Sequence, residues 1–273
     1  MAIIKDETRE LERKMTQLRD YKVVKSNNLI QKTRFQLTMQ EQKIILYMIS
    51  KIKPDEEDFS TLDFSISEFC KVCGMDSTSG KNYKDIKDKV KALSDKSAWV
   101  TLENGTETLI RWINKAWINK KSGTIKLRLD DDMKPYLLQL QNFFTQYELL
   151  YILAMKSQYS IRLYELLKSY EYQRKKIIFE IDELKRILSA ENYERFPDFK
   201  RKVLDIALRE MNDLSDLIVT YEIIKEGRRY AKLEFSIRLK KDITERLQTW
   251  ARIDEVINPP QISLFERVYG EKV

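Results

Sequence analysis

The chain of 273 residues is long enough for two domains of ordinary size, and its composition, 42% hydrophobic and 34% charged with 6 Gly and 5 Pro, fits helix-rich globular folding rather than disorder or a fibre. Its 50 Lys and Arg against 43 Asp and Glu leave a formal charge of +7, which favours acidic partners if the excess gathers on one surface. The absence of His removes the commonest general base and metal ligand, so no catalytic residues, metal or cofactor are expected, and the histidine metal site of rolling-circle nickases is excluded.

Residues 1–20 read as a charged helical arm with a thin apolar stripe at Leu11, Met15 and Leu18. The opening MAIIKDETRE is not a signal peptide, and the longest apolar stretch, Leu149 to Met155, is far short of the roughly 20 residues a bilayer span needs. A cytoplasmic protein without a membrane partner is the expectation.

A first domain is expected over residues 21–140. Its first strong signal is LTMQEQKIILYMISKI, with Thr38 as N-cap, Glu41 three residues later as in a capping box, and apolar spacing at Ile44, Ile45, Met48, Ile49 and Ile52, ending near Pro54. FSISEFCKVCG follows as a short helix. It holds Cys70 and Cys73, a lone CxxC that lacks the remaining ligands of a zinc site and so reads as buried structural thiols. GMDSTSGKN (Gly74 to Asn82) departs from a phosphate-binding loop, with five residues between its glycines and Asn where Ser or Thr would hold magnesium, and reads as a turn into a helix.

In that helix, NYKDIKDKVKAL, the apolar Tyr83, Ile86, Val90 and Leu93 recur at helical spacing, while Lys81, Lys84, Lys87 and Lys91 lie elsewhere on the surface. Strand-like AWVTL, TLIRWI and TIKLRL follow, with turns at Glu103-Asn104-Gly105 and Ser122-Gly123. Asp130, Asp131 and Asp132 precede an apolar run and read as helix-capping residues rather than a cation site. Three helices and then a hairpin is the winged-helix order.

The second domain, expected over 141–250, repeats this order. FEIDELKRIL (Phe179 to Leu188) echoes FSISEFCKVC (Phe64 to Cys73), with Phe, Ile and Glu at matching places 115 residues apart. DFKRKVLDIALREMN then makes a helix, and LIVTYEIIK and YAKLEFSIRL make two strands joined by Glu226-Gly227-Arg228-Arg229. The fold class is therefore α+β, two tandem winged-helix domains.

On a helical wheel Phe199, Val203, Ile206 and Ala207 face one way, widened by Leu204, Leu208 and Met211, and the opposite arc holds Arg201, Lys202, Asp205, Arg209 and Asn212. In a helix-turn-helix descendant this third helix enters the major groove, where Arg pairs with guanine and Asn with adenine. An ordinary solvated helix face has the same wheel. Arg228 and Arg229 at a Gly turn add cations where a wing meets the minor groove or phosphates. In the first half the candidate cations Lys81, Lys84, Lys87 and Lys91 are all Lys, which act as point charges on phosphate, so base specificity is assigned mainly to the second domain.

Four stretches, VVKSNNLI (Val23 to Ile30), LTMQEQKIILYMI (Leu37 to Ile49), YSIRLYELLKSY (Tyr159 to Tyr170) and FKRKVLDIALREMNDLSDLIV (Phe199 to Val219), resemble the initiator (Rep) proteins of iteron-carrying, theta-replicating plasmids. The resemblance implies two winged helices related by a pseudo-twofold axis. It also implies binding to directly repeated origin sites (iterons) in double-stranded DNA, opening of nearby AT-rich DNA, and recruitment of host replication proteins such as the helicase and the host initiator, without catalysis. It places base and phosphate contacts at Lys200, Arg201, Lys202 and Arg209. It puts Arg162 either close to DNA or in a structural role, and suggests a dimer-monomer equilibrium in which dimers autorepress. Ile206 stands where many members have Pro.

A tail, 251–273, passes through Asn258-Pro259-Pro260 into QISLF, similar to the peptide that docks on the bacterial sliding clamp through Gln261, Leu264 and Phe265. The last two residues could equally fold back on the core. A dimeric winged-helix transcriptional repressor and an interaction scaffold with a merely solvated basic face are the other readings of the whole chain.

Overall fold

A computed structural model describes residues 21–73, 82–102 and 104–257. The arm at 1–20, the turn at 74–81 with Lys81, Glu103, and the QISLF motif with Gln261, Leu264 and Phe265 lie outside them.

The chain enters through strand β1 (Lys22–Ser26) and helix α1 (Asn27–Gln31), followed by the short β2 (Thr33–Arg34). Helix α2 (Met39–Ser50) begins as its sequence dictates: Glu41 donates its backbone N–H to Thr38 Oγ1 at 3.3 Å, and Thr38 N donates to Glu41 Oε2 at 2.7 Å. Ile44, Ile45, Met48 and Ile49 of α2 are buried in the core.

Next come β3 (Leu62–Ser65), α3 (Ile66–Cys73) and α4 (Asn82–Ser94). β3 starts the segment expected to be wholly helical. Its alternating burial, Leu62 and Phe64 in and Asp63 and Ser65 out, satisfies a sheet, and the helix starts only at Ile66. Cys70 of α3 is fully buried.

Four strands follow: β4 (Ser97–Thr101), β5 (Glu107–Arg111), β6 (Ile113–Asn119) and β7 (Thr124–Leu129). The expected single strand TLIRWI is in fact split at Trp112, which turns into the core at 1% exposure and meets Phe35 edge-on, centroids 5.1 Å apart. β5 therefore pairs with β4 in one sheet (order β2-β4-β5), and β6 pairs with β7 in another (order β3-β7-β6). Asp130 caps a single 3-10 turn at Asp131–Met133 by accepting from Asp132 N at 3.1 Å.

After α5 (Lys134–Leu137), strand β8 (Phe144–Glu148) returns to pair antiparallel with β1, Lys22 opposite Glu148 and Ser26 opposite Phe144. A division at 140/141 would thus cut β1 from its partner, because the pairing is set by long-range hydrogen bonds that local pattern does not encode. Helices α6 (Leu149–Ala154) and α7 (Gln158–Glu171) lead into the second half.

There β9 (Lys176–Glu180), α8 (Ile181–Ile187), α9 (Phe196–Phe199), a π turn (Lys200–Leu204), α10 (Asp205–Leu214), β10 (Leu217–Glu226) and β11 (Arg229–Leu239) complete a second unit, and α11 (Ile243–Ile257) closes the described chain. Its sheet has the order β9-β11-β10, the same first-third-second order as β3-β7-β6. The 115-residue echo in sequence is thus one unit of strand, two helices and hairpin folded twice, the first copy carrying β4 and β5 between its second helix and its hairpin.

One hydrophobic cluster runs through both units, and polar contacts cross between them. Lys25 Nζ of β1 lies 2.7 Å from Glu165 Oε1 of α7, both side chains 2% exposed. Gln31 Nε2 donates to Ser169 Oγ at 2.9 Å and Ser189 Oγ donates to Phe35 O at 2.8 Å. Burial pulls the Lys25 ammonium below its usual pKa, against the pull of Glu165 in the other direction. Among the described residues no helix is long and apolar enough to cross a membrane.

Candidate nucleic-acid interface

The helix at 196–214 runs end to end through α9, the π turn and α10, passing Ile206 without a break. Phe199, Val203, Leu204, Ala207 and Met211 are buried, so Arg201, Lys202, Asp205 and Arg209 are left on the outside. The π turn widens the helix under the KRK triplet and shifts Arg201 and Lys202 around the axis relative to Arg209, an offset that a uniform wheel misses.

These cations are held in different ways. Lys200 Nζ sits 2.8 Å from Asp205 Oδ1, which raises its pKa, and Arg201 Nη2 lies 3.3 Å from Asp198 Oδ1. Lys202 Nζ lies over the Tyr193 ring, 5.6 Å from its centroid. Arg209 is exposed and makes no ion pair among the described residues. Exposed pairs of this kind contribute little stability and leave the cations free to change partners.

The second wing is aligned with this helix. Gly227 at φ 62° turns β10 into β11, a left-handed conformation that Gly adopts without steric cost. Arg228 is exposed at that turn, and Arg229 Nη2 lies 2.9 Å from Asp182 Oδ2 of α8. Tyr230, the next residue, stacks on Phe196 at the start of the helix at 196–214.

Asn212 does not face outward as a base reader. Its Oδ1 accepts from Val219 N at 2.7 Å and its Nδ2 donates to Val219 O at 3.0 Å, so both ends of the amide tie α10 to β10. Asn212 O also accepts from Lys240 Nζ at 2.6 Å, and burial lowers the pKa of Lys240 to about 8. The wheel placed Asn212 beside Arg209 because it cannot see the turn that brings β10 back across the helix end.

Arg162 is likewise a structural residue, 3% exposed. Its Nη2 donates to Thr33 O at 2.8 Å, its Nε to Ile187 O at 3.4 Å, and its guanidinium lies 4.6 Å from the centroid of Phe35. It joins α7 to β2 and α8, and burial brings its pKa down to about 10. Of the two expected roles, the depth of the side chain supports the structural one.

In the first unit Ile86, Val90 and Leu93 of α4 are buried, and Lys84, Lys87 and Lys91 are exposed, Lys91 Nζ lying 2.7 Å from Asp95. The first wing is the β6-β7 hairpin. Its turn is fixed by Asn119 Oδ1, which accepts from Lys121 N at 3.0 Å and Ser122 N at 3.2 Å, and by Gly123 at φ 63°. Lys120 and Lys121 project from this turn as Arg228 and Arg229 do from the other. Lys87 and Lys120 both approach the Tyr83 ring, 5.9 and 5.7 Å from its centroid, so the aromatic links helix and wing. The two wing lysines escaped the sequence reading, although the Ser122-Gly123 turn beside them was its signal.

The family model described as "Initiator Replication protein, WH1" matches residues 22–168, and that described as "Initiator Rep protein, WH2" matches residues 180–237. A "Replication initiation protein" of Escherichia coli is 26% identical over 232 residues, spanning 81% of this chain and 71% of that protein. The "PI protein" of Escherichia coli is 32% identical over 164 residues, 52% of this chain and 53% of that protein. The crystal structure of the Pi initiator protein in complex with iteron DNA is similar in fold, with TM-score 0.66 and 23% identity, covering 82% of this chain and 99% of that one.

Proposed function

This chain belongs to the initiator replication (Rep) protein family, and from that premise we propose that it starts plasmid replication by binding directly repeated origin sites in double-stranded DNA. The observation that carries this reading is the doubled unit. Each half presents an exposed cationic helix beside a cationic wing tip, with an aromatic residue joining the two. Two such units on successive major grooves span about two helical turns, roughly 20 base pairs per monomer.

In the second unit Arg201, Lys202 and Arg209 read bases and phosphates, Lys200 assists through Asp205, and Arg228 and Arg229 meet the flanking groove. In the first unit Lys84, Lys87 and Lys91, with Lys81 and the wing residues Lys120 and Lys121, neutralise phosphates. The protein acts by binding and not by catalysis. Arrays of bound copies open the AT-rich DNA, and host helicase and host initiator are recruited to them in the cytoplasm. Dimers repress the protein's own gene and monomers initiate, and the QISLF tail, through Gln261, Leu264 and Phe265, docks on the sliding clamp.

The test is selection of bound duplexes from a random pool by the full chain at about physiological salt, where specific and non-specific binding separate. An enriched asymmetric motif of about two helical turns is expected. A palindrome would point to a dimeric repressor, and no enrichment to a scaffold with a solvated basic face.

A further inference from the structure

The outer face of the first wing carries a feature that the duplex-binding surfaces do not use. Strand β6 alternates, so Ile118 leans toward the core while Lys115, Trp117 and Asn119 point the other way. Trp117 is 41% exposed there. Lys126 of β7 stands opposite it in the antiparallel register, and Lys115 Nζ lies 5.1 Å from the centroid of the indole. A groove of about 730 Å³ runs past the ring, lined by Thr61, Trp117, Asn119, Lys120, Lys121 and Lys126. Lys126 Nζ pairs with Asp63 Oδ1 at 3.1 Å, and Lys115, Lys120 and Lys121 make no ion pair among the described residues.

A single exposed apolar side chain is ordinary on a protein surface; what sets Trp117 apart is that its ring lies beside Lys115, opposite Lys126, and on the edge of a groove. A flat ring with cations spaced along one groove is the chemistry of a stacking platform for unpaired bases, the lysines following the phosphates and Asn119 and Thr61 offering hydrogen bonds to base edges. Double-stranded DNA cannot use the ring's face, because its bases are already stacked. The groove is continuous with the duplex surface through Lys120 and Lys121 at the wing tip, so a strand released beside a bound repeat reaches it without leaving the protein.

We propose that the outer face of the first wing, centred on Trp117, is a binding site for single-stranded DNA. This rests on the initiator reading and deepens it: the protein would hold one strand of opened origin DNA while its helices hold the adjacent duplex.

The experiment measures binding of the full chain to a labelled oligothymidylate and, in parallel, to a duplex carrying the selected repeat, by fluorescence anisotropy. Trp117→Ala should weaken single-strand binding about tenfold while Trp117→Phe, which keeps a stacking ring, should lose about threefold or less. Duplex binding by both variants should stay within about twofold of the parent, which also establishes that they are folded. Unchanged single-strand affinity in Trp117→Ala, equal losses on both DNAs, or no single-strand binding by the parent would each overturn the proposal. Failure of the parent to bind the duplex at all would instead count against the initiator reading itself.

Discussion

The rings of Phe196 and Tyr230 are stacked, with centroids 4.5 Å apart and planes 26° from parallel. Phe196 opens the helix at 196–214, and Tyr230 follows the two wing arginines, so this contact ties the cationic helix to the cationic wing of the second unit. Lys225 Nζ also lies over the Tyr230 ring, 4.9 Å from its centroid. Aromatic stacking adds about 0.5 to 1.5 kcal/mol beyond the area it buries. Tyr230→Ala is therefore expected to lower stability by about 1 kcal/mol and to weaken specific DNA binding several-fold, while Tyr230→Phe retains both. Thermal unfolding and anisotropy on one preparation check it, and unaltered DNA affinity in Tyr230→Ala would remove the stack from the recognition machinery.

Arg201→Ala and Arg209→Ala should each cost about 1 to 3 kcal/mol of specific binding and relax base preference at one position. Lys84→Ala and Lys87→Ala should weaken all sequences alike, each reducing the slope of log affinity against log salt by about 1. Titrations of cognate and scrambled duplexes at several salt concentrations separate the two behaviours. Equal losses on both duplexes from the arginine variants would show that the second helix contacts phosphate alone.

Asn212→Ala should behave as a folding variant. It deprives the Val219 N–H and carbonyl of their amide partner where α10 meets β10, at a cost of about 1 to 3 kcal/mol. Base preference of the remaining folded protein should be unaltered. A base-specific loss without destabilisation would restore Asn212 to the DNA face.

The buried Lys25-Glu165 pair predicts non-additivity. Lys25→Met alone leaves a buried carboxylate that keeps the Tyr147 hydroxyl and the nearby Arg162 charge but loses its direct ion pair, and should destabilise by about 3 to 5 kcal/mol, as removal of one partner of a buried pair generally does. Adding Glu165→Leu should recover a large part of that loss. Urea unfolding of the single and double variants measures it, and additive losses would mean that the pair contributes little as a pair.

Lys240 supplies a pH signature. Its native pKa of about 8 lies below the ordinary lysine value of 10.5 because the ammonium is desolvated. Between these values the unfolded chain binds more protons than the folded one, so this group's contribution to stability rises as pH increases from about 8 toward 10.5 and is constant below pH 8. The difference in unfolding free energy between the parent and Lys240→Met, followed from pH 7 to 10, isolates that contribution from the tyrosines that titrate nearby. A difference independent of pH would mean that Lys240 is not desolvated.

The local elements and their order are legible in the chain's own periodicity and capping residues. Thr38 and Glu41 specify a helix start because both halves of the capping box lie within one turn, and the alternation in TIKLRL and YAKLEFSIRL specifies half-buried strands because side chains alternate across a sheet. The exposed arc of Arg201, Lys202 and Arg209 follows from the same periodicity, and the four motif stretches placed the chain in its family. Features that depend on partners distant in sequence are set by long-range packing instead. Trp112 divides a strand because Phe35 is there to receive it, and β8 joins the first unit because β1 has an edge to pair. Asn212 and Arg162 turn inward because Val219 in one case, and Thr33 and Ile187 in the other, present backbone groups that these polar side chains satisfy. Polar residues on a helix carry no local mark of whether water, DNA or a returning backbone will meet them, and that choice is made by long-range packing.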